Sequence, residues 1–340
     1  MYETRIFLML ALVATIVNPA MIIRFLSTLG FLAVALTMYH LVRILSVAQF
    51  FYDRFHIARE GKTLEDYKIA RDGRKAWAFV TNVEIGAGIG YSFAGKLAQR
   101  GFNVVVHCRD EASKVRARHE LQRHSTDHKF RWIVGDLDHK PPDSIHSSFE
   151  SLLEVNVHDI PLKLFVNCMG PICGTLSPYD DLGSPSATNF QDTYNRYMMF
   201  PTVVASFLNP FLARESSLVL NIENIDVPTA SSHPLHRQIQ QNMRHHTHQL
   251  RGQMKKLKRD VKVLALRIGP LTPGDRETGT RLRPTRREFM DACFTRLDRL
   301  DNTEIVITPW FWHELWAWWA WWVSMIPDSW RANPEVNQRQ

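Results

Sequence analysis

Three glycines carry the first chemical signal in this chain of 340 residues. Gly86, Gly88 and Gly90 lie in Lys75–Arg109, KAWAFVTNVEIGAGIGYSFAGKLAQRGFNVVVHCR. Glycines at this spacing let the backbone approach phosphate oxygens closely, and a helix starting among them adds N–H groups and a positive dipole end. The chemistry they suit is holding a dinucleotide pyrophosphate. A second group comprises Ser231, Ser232, His233, His236, His245, His246 and His248. An imidazole can act as an acid near neutral pH, although a histidine-rich helix face is more often a solvated one. Serine–histidine–aspartate hydrolysis has no nucleophile elbow here. The four cysteines, Cys108, Cys168, Cys173 and Cys293, show no disulfide framework or CxxC spacing. They fit a reducing, cytosol-facing compartment.

These groups need elements to hold them. Ala76–Thr81 is a short apolar run suited to a buried parallel strand. Ile89–Gln99 has helix-spaced apolar residues and ends at Gly101, a C′ glycine. Phe102–His107 is a second apolar run. Strand, glycine turn, helix and strand make a βαβ unit, with the pyrophosphate seat at its first turn. Further strands are predicted at Phe130–Val134, Leu162–Val166, Ser217–Ile222, Val261–Leu266 and Thr303–Ile307. Helices are predicted at Ile145–Val155, Phe190–Leu212 (kinked or split at Pro201), Leu235–Lys258 and Glu288–Leu300. The order predicts an α/β fold, a Rossmann-type doubly wound parallel sheet.

The opening unit resembles the short-chain dehydrogenase/reductase family, whose turn reads TGxxxGIG. Thr81 and Gly88-Ile89-Gly90 match it. Asn82 replaces a glycine, Val83 to Ala87 stand where the family has three residues, and Glu84 brings a carboxylate near the expected phosphates. The resemblance implies NADP(H), weakly bound, at Thr81, Gly86, Gly88, Ile89 and Gly90. It implies that Arg109 meets the 2′-phosphate of NADP and that Asp136 contacts adenine. Asn167-Cys168-Met169-Gly170 resembles the NNAG turn, matching at Asn167 and Gly170. Gly269-Pro270-Leu271-Thr272 resembles the PGxxxT turn, which implies a cofactor contact for Thr272. The resemblance covers residues 76–310.

In that family a Tyr, its pKa lowered by a Lys one helical turn later, protonates the alkoxide while a Ser holds the carbonyl. The pattern VNISS is met here by Leu220-Asn221-Ile222-Glu223-Asn224, so Asn224, or Glu223, stands at the Ser. Counting back from Gly269 puts Gln238 at the Tyr and Asn242 at the Lys. No tyrosine follows Tyr197. The family's helix Asn falls nearest Asn195, although counting back from Pro210 lands closer to Tyr197. The expectation is a catalytically degenerate protein. Its rivals are a working reductase with an unrecognised acid and a non-enzymatic membrane scaffold.

Both ends of the chain point to a membrane. Residues 6–50 are almost entirely apolar and divide at Arg24 into Ile6–Ile23 and Phe25–Val47, each long enough to span a bilayer. The basic stretch that follows puts the folded domain in the cytosol. All but Trp77 and Trp132 of the ten tryptophans lie between Trp310 and Trp330, as in a helix lying at a membrane interface. The expected domains are a membrane anchor (1–52), a basic linker (53–75), a Rossmann domain (76–308) and a Trp-rich interfacial tail (309–340). This layout resembles the membrane-anchored 17-beta-hydroxysteroid dehydrogenase and very-long-chain 3-oxoacyl-CoA reductase branch, implying the endoplasmic reticulum, lipid metabolism, and an acyl-CoA or steroid-like substrate. The net charge of +7 favours lipid headgroups or nucleotide phosphates as neighbours. No aromatic-interleaved basic motif for nucleic acid is present. The basic helix at 235–258 disfavours the family's usual dimer and suits an acidic protein partner or a membrane surface.

Overall fold

The computed structural model describes residues 62–83, 89–123, 129–135, 142–168, 194–225, 234–272, 279–300 and 304–324, with scattered positions between Arg24 and Tyr52. The chain divides into two units, Met1–Ala58 and Arg59–Gln340. In the first, the described positions are helical. Thr28 and Thr37 donate to the carbonyls of Arg24 and Ala33, one turn back, at 2.8 Å each. Ile6–Ile23 lies outside the described residues. Among the described residues, no helix is long and apolar enough to cross a membrane.

The second unit is built on seven parallel strands: β1 (Trp77–Val80), β2 (Asn103–Cys108), β3 (Phe130–Val134), β4 (Leu162–Asn167), β5 (Ser217–Asn224), β6 (Val261–Ile268) and β7 (Val306–Ile307). Their order is β3-β2-β1-β4-β5-β6-β7, so the expected doubly wound sheet is present. The helices are α1 (Gly90–Gln99), α2 (Glu111–Arg123), α3 (Pro142–Val157), α4 (Phe200–Leu212), α5 (Pro234–Lys256), α6 (Arg286–Leu297) and α7 (Phe311–Ser324). A π-helical turn, Asn195–Met199, leads into α4.

Near-continuous apolar strands suit a sheet covered on both faces. Alternation along each strand splits the core in two. Ala78, Val80, Val104, Val106, Leu164 and Val166 pack with Phe93, Leu97, Phe289 and Phe294 of α1 and α6. Trp77, Phe79, Val105, Phe165 and Val219 pack on the other face with Phe200, Leu208, Leu250 and Met254 of α4 and α5. Leu64 and Tyr67, on a short 3-10 turn at Leu64–Tyr67, are buried in the first of these clusters.

Helix α1 ends as the sequence predicts. Gly101 has φ +102°. The N–H groups of Gly101 and Phe102 donate to the carbonyls of Ala98 and Leu97 at 2.9 and 3.1 Å, a left-handed glycine closure of the helix. The helix is not split at Pro201 as predicted: helical backbone runs on through it from the π turn at Asn195–Met199, with the proline in the first turn of α4. Helix α2 has no counterpart in the sequence-based expectation. Its inward residues Ser113, Ala117 and Leu121 include one large apolar side chain, so its hydropathy pattern is faint.

Candidate functional site

The strand order reverses between β1 and β4, and a crevice at their carboxyl ends is the expected ligand position in such sheets. Thr81 and Asn82 leave β1 there, and Asn167 and Cys168 leave β4. Thr81, fully buried, accepts from the Cys168 N–H at 2.8 Å and lies 3.5 Å from Asn167 Oδ1. The amide of Asn82 reaches the Cys168 carbonyl at 3.4 Å. Two of the predicted cofactor positions, Thr81 and Asn167, are therefore joined. Gly86, Gly88, Asp136 and Gly170 lie outside the described residues.

Helix α1 begins over this crossing. Ile89 occupies its N-cap and makes no side-chain capping bond. A Cβ added at Gly90 would lie 2.5 Å from the Asn82 carbonyl oxygen and 2.7 Å from that of Thr81. Only glycine lets the helix start this close to β1, as a pyrophosphate cradle requires. The described part of the site therefore fits a dinucleotide.

Asn82, which stands at a family glycine, has φ +54°. Asparagine is among the few residues that enter the left-handed region readily. Its N–H donates to His107 Nδ1 at 3.3 Å, and His107 Nε2 lies 3.3 Å from the Gly135 carbonyl. These bonds fit a neutral ring with its proton on Nε2. Burial pulls the His107 pKa down to about 4, against the smaller effect of the Gly135 bond. The ring also packs on Phe200, with centroids 4.8 Å apart. This buried histidine holds the turn and was not singled out from the sequence, where it reads only as part of an apolar strand.

Arg109 follows β2 with a half-exposed side chain, 3.5 Å from Asp110. Asp110 is occupied by the start of α2: its carboxylate accepts from the Ser113 N–H at 2.6 Å. That bond is the main reason its pKa is lowered.

A buried polar chain runs from the end of β4 across the α4–α5 face. Asn167 donates to Asn221 at 3.2 Å, and Asn221 donates to the Thr247 hydroxyl at 3.0 Å. Thr247 lies 3.2 Å from Glu223 Oε1 and 2.9 Å from the Met243 carbonyl, so its one proton can go to either. Glu223 is 1% exposed between Arg244 and Arg267, at 3.7 and 3.9 Å. Burial raises its pKa, and the two arginines and Thr247 oppose the rise. Sequence counting missed Gln240 and Thr247, although their seven-residue spacing is that of one helix face.

The four expected catalytic positions are distributed around one corner. Asn195 is fully buried on the π turn. Asn224, 3% exposed at the end of β5, has its N–H bound by Gln240 Oε1 at 2.9 Å. Asn242 lies beside the π turn, its amide 3.6 Å from Met198 Sδ. Gln238 is exposed on α5. It is thus Gln240, two positions on, that reaches the end of β5.

Beyond β6, Gly269 donates to His313 Nδ1 of α7 at 3.1 Å. The Thr272 hydroxyl donates to the Arg283 carbonyl at 2.5 Å, and its N–H donates to the Pro284 carbonyl at 3.0 Å. Thr272 thus ties its own loop to residues 283–284.

Known structures share this architecture. The bulky-bulky ketone specific alcohol dehydrogenase from Comamonas testosteroni superposes with a TM-score of 0.54 at 17% identity, covering 75% of this chain and 96% of that one. A short-chain dehydrogenase from Sphingobium yanoikuyae in complex with NADPH gives 0.54 at 16% identity, covering 76% and 99%. The 3-oxoacyl (acyl-carrier-protein) reductase from Agrobacterium tumefaciens C58, with NADP bound, gives 0.51 at 16% identity, covering 69% and 94%. The fold is that of the short-chain dehydrogenases. No protein-family model matches the chain, and no curated protein matches it in sequence.

Proposed function

We propose that this chain is a membrane-anchored protein of short-chain dehydrogenase fold that binds NADP(H) weakly and has lost ketone-reducing chemistry. One observation carries the reading. Asn224, Gln238 and Asn242 stand at the end of β5 and on α5, where the resemblance calls for Ser, Tyr and Lys, and no tyrosine follows Tyr197. Side-chain amides donate hydrogen bonds but do not ionise near neutral pH. They can hold a carbonyl oxygen and cannot deliver the proton that its reduction needs.

The groups that would hold NADP(H) are the N-terminus of α1, the backbone at Thr81 and Gly90, and Arg109 facing a 2′-phosphate. When bound, the nucleotide would supply a hydride. Gly90 lets the start of α1 sit against the end of β1, and the His107 ring, accepting the Asn82 N–H, supports the left-handed turn there. The apolar N-terminal stretch and the Trp-rich C-terminal stretch support membrane lipids as neighbours, at the cytosolic face of the endoplasmic reticulum. An acyl-CoA or steroid-like ligand follows from the branch resembled. The exposed basic positions of α5, including Lys255 and Lys256, suit an acidic protein partner.

The second reading is a working NADPH-dependent reductase of 3-oxoacyl-CoA or oxosteroid substrates. It is favoured by Asn195, which is fully buried on the π turn. Calorimetric titration with NADPH and NADP, followed by turnover of a 3-oxoacyl-CoA in detergent, separates the readings. Binding without turnover is expected. Turnover that vanishes in His236→Ala overturns the loss of chemistry. No heat with either nucleotide overturns the cofactor and leaves a membrane scaffold.

A further inference from the structure

The loop before α6 and the first turn of α7 form one fixed surface, although they lie far apart in sequence. Trp310 Nε1 donates to the Arg281 carbonyl at 2.7 Å, and the Arg281 guanidinium lies over the Trp312 ring at 5.8 Å. Thr280 and Arg283 close the loop through mutual backbone bonds of 2.8 and 3.1 Å. His313 is fully buried against Gly269 and Phe289. The first turn of α7 is therefore docked on the Rossmann unit.

What this docking leaves outward is basic and apolar together. Arg281, Arg283 and Arg287 are exposed, and Leu282, Phe311 and Trp318 are 54%, 38% and 40% exposed. Two nearby carboxylates are engaged elsewhere. Glu288 accepts from the N–H and hydroxyl of Thr285 at 2.8 and 2.9 Å, and Asp291 pairs with Lys96 at 2.7 Å. Glu314 is the acidic side chain in the first turn of α7. Aromatic rings sit at the headgroup boundary of a bilayer, and arginines beside them are drawn to anionic headgroups.

We infer that Arg281, Arg283 and Arg287 with the outer side of α7 form a docking surface for an anionic phospholipid bilayer. This deepens the membrane-anchored reading above and rests on it. The charge complementarity is absent from the tryptophan-rich segment alone, which carries little positive charge. It arises because the fold brings the loop before α6, and the first turn of α6, to it. A basic residue near such a surface contributes about 1 kcal/mol, so each Arg→Gln should lower the docked-to-undocked ratio about fivefold.

The test uses the full chain reconstituted into vesicles of phosphatidylcholine, with and without phosphatidylserine, made with brominated acyl chains. Residues 1–52 contain no tryptophan, so quenching of tryptophan emission does not report on an N-terminal anchor. The expected result is stronger quenching with phosphatidylserine, loss of the difference in Arg283→Gln/Arg287→Gln, and its recovery in Arg283→Lys/Arg287→Lys. Equal quenching in both vesicle types, with the chain still floating with the lipid, overturns this surface and leaves the anchor standing. Failure to float with either vesicle overturns both.

Discussion

The ring of His313 occupies the space that a side chain at residue 269 would need. A Cβ on Gly269 would lie 2.5 Å from the ring carbon Cδ2 and 2.8 Å from Nε2. The same ring accepts the Gly269 N–H at 3.1 Å. A residue of the tail helix thus fixes the loop that follows β6.

Gly269→Ala is expected to destabilise the protein by about 1–3 kcal/mol through overpacking. His313→Ala removes the bond and the obstruction together. The double variant should therefore lose less than the sum of the single losses. A double-mutant cycle by urea denaturation in detergent measures this coupling. Additive losses would show that the two residues do not meet.

Gly90→Ala should push the start of α1 away from β1, because backbone oxygens lie within 3 Å of the new methyl. The expected outcome is a lower Tm together with NADPH affinity reduced about tenfold or more, the equivalent of at least about 1.4 kcal/mol. Calorimetry beside a thermal melt checks it. An unchanged affinity would remove the α1 terminus as the phosphate seat.

Acid should weaken the fold through His107. Its folded pKa is pulled from the ordinary 6.5 to about 4 by burial. As pH falls, the unfolded chain takes the proton first. The stabilisation is full above pH 6.5 and is lost as pH falls toward about 4. Between pH 7 and pH 5 the loss from this residue is about 2 kcal/mol. Burial lowers the His313 pKa to about 4 as well, so it adds a loss of the same sign. Comparing urea midpoints of the wild type and His107→Gln at both pH values isolates the first share. An equal pH response in the variant would exclude it.

Much of the fold could be read locally. The apolar runs mark every strand of the sheet, and Gly101 marks the end of α1, because burial on both faces and a left-handed cap leave short-range signatures. Strands β5 and β6 run past their expected ends by two residues each, to Asn224 and Ile268. The added Glu223 and Arg267 face each other across that pair in register, so polarity there marks a buried ion cluster and not a loop. Asn195 was one of two counted positions for the helix Asn, and its burial on the π turn is a matter of packing that counting cannot resolve.

The sequence alone determined the parallel sheet, the glycine-opened helix and the absence of a tyrosine after Tyr197, since each is a matter of residue type or of spacing within a few turns. Only the tertiary structure decided that Thr81 meets Cys168, 87 positions on, that Gln240 reaches the end of β5, and that His313 is a core residue and not part of a wholly interfacial tail. Such contacts depend on where chain crossings carry each side chain, and a histidine or glutamine looks the same in the sequence whether it meets water or a buried N–H.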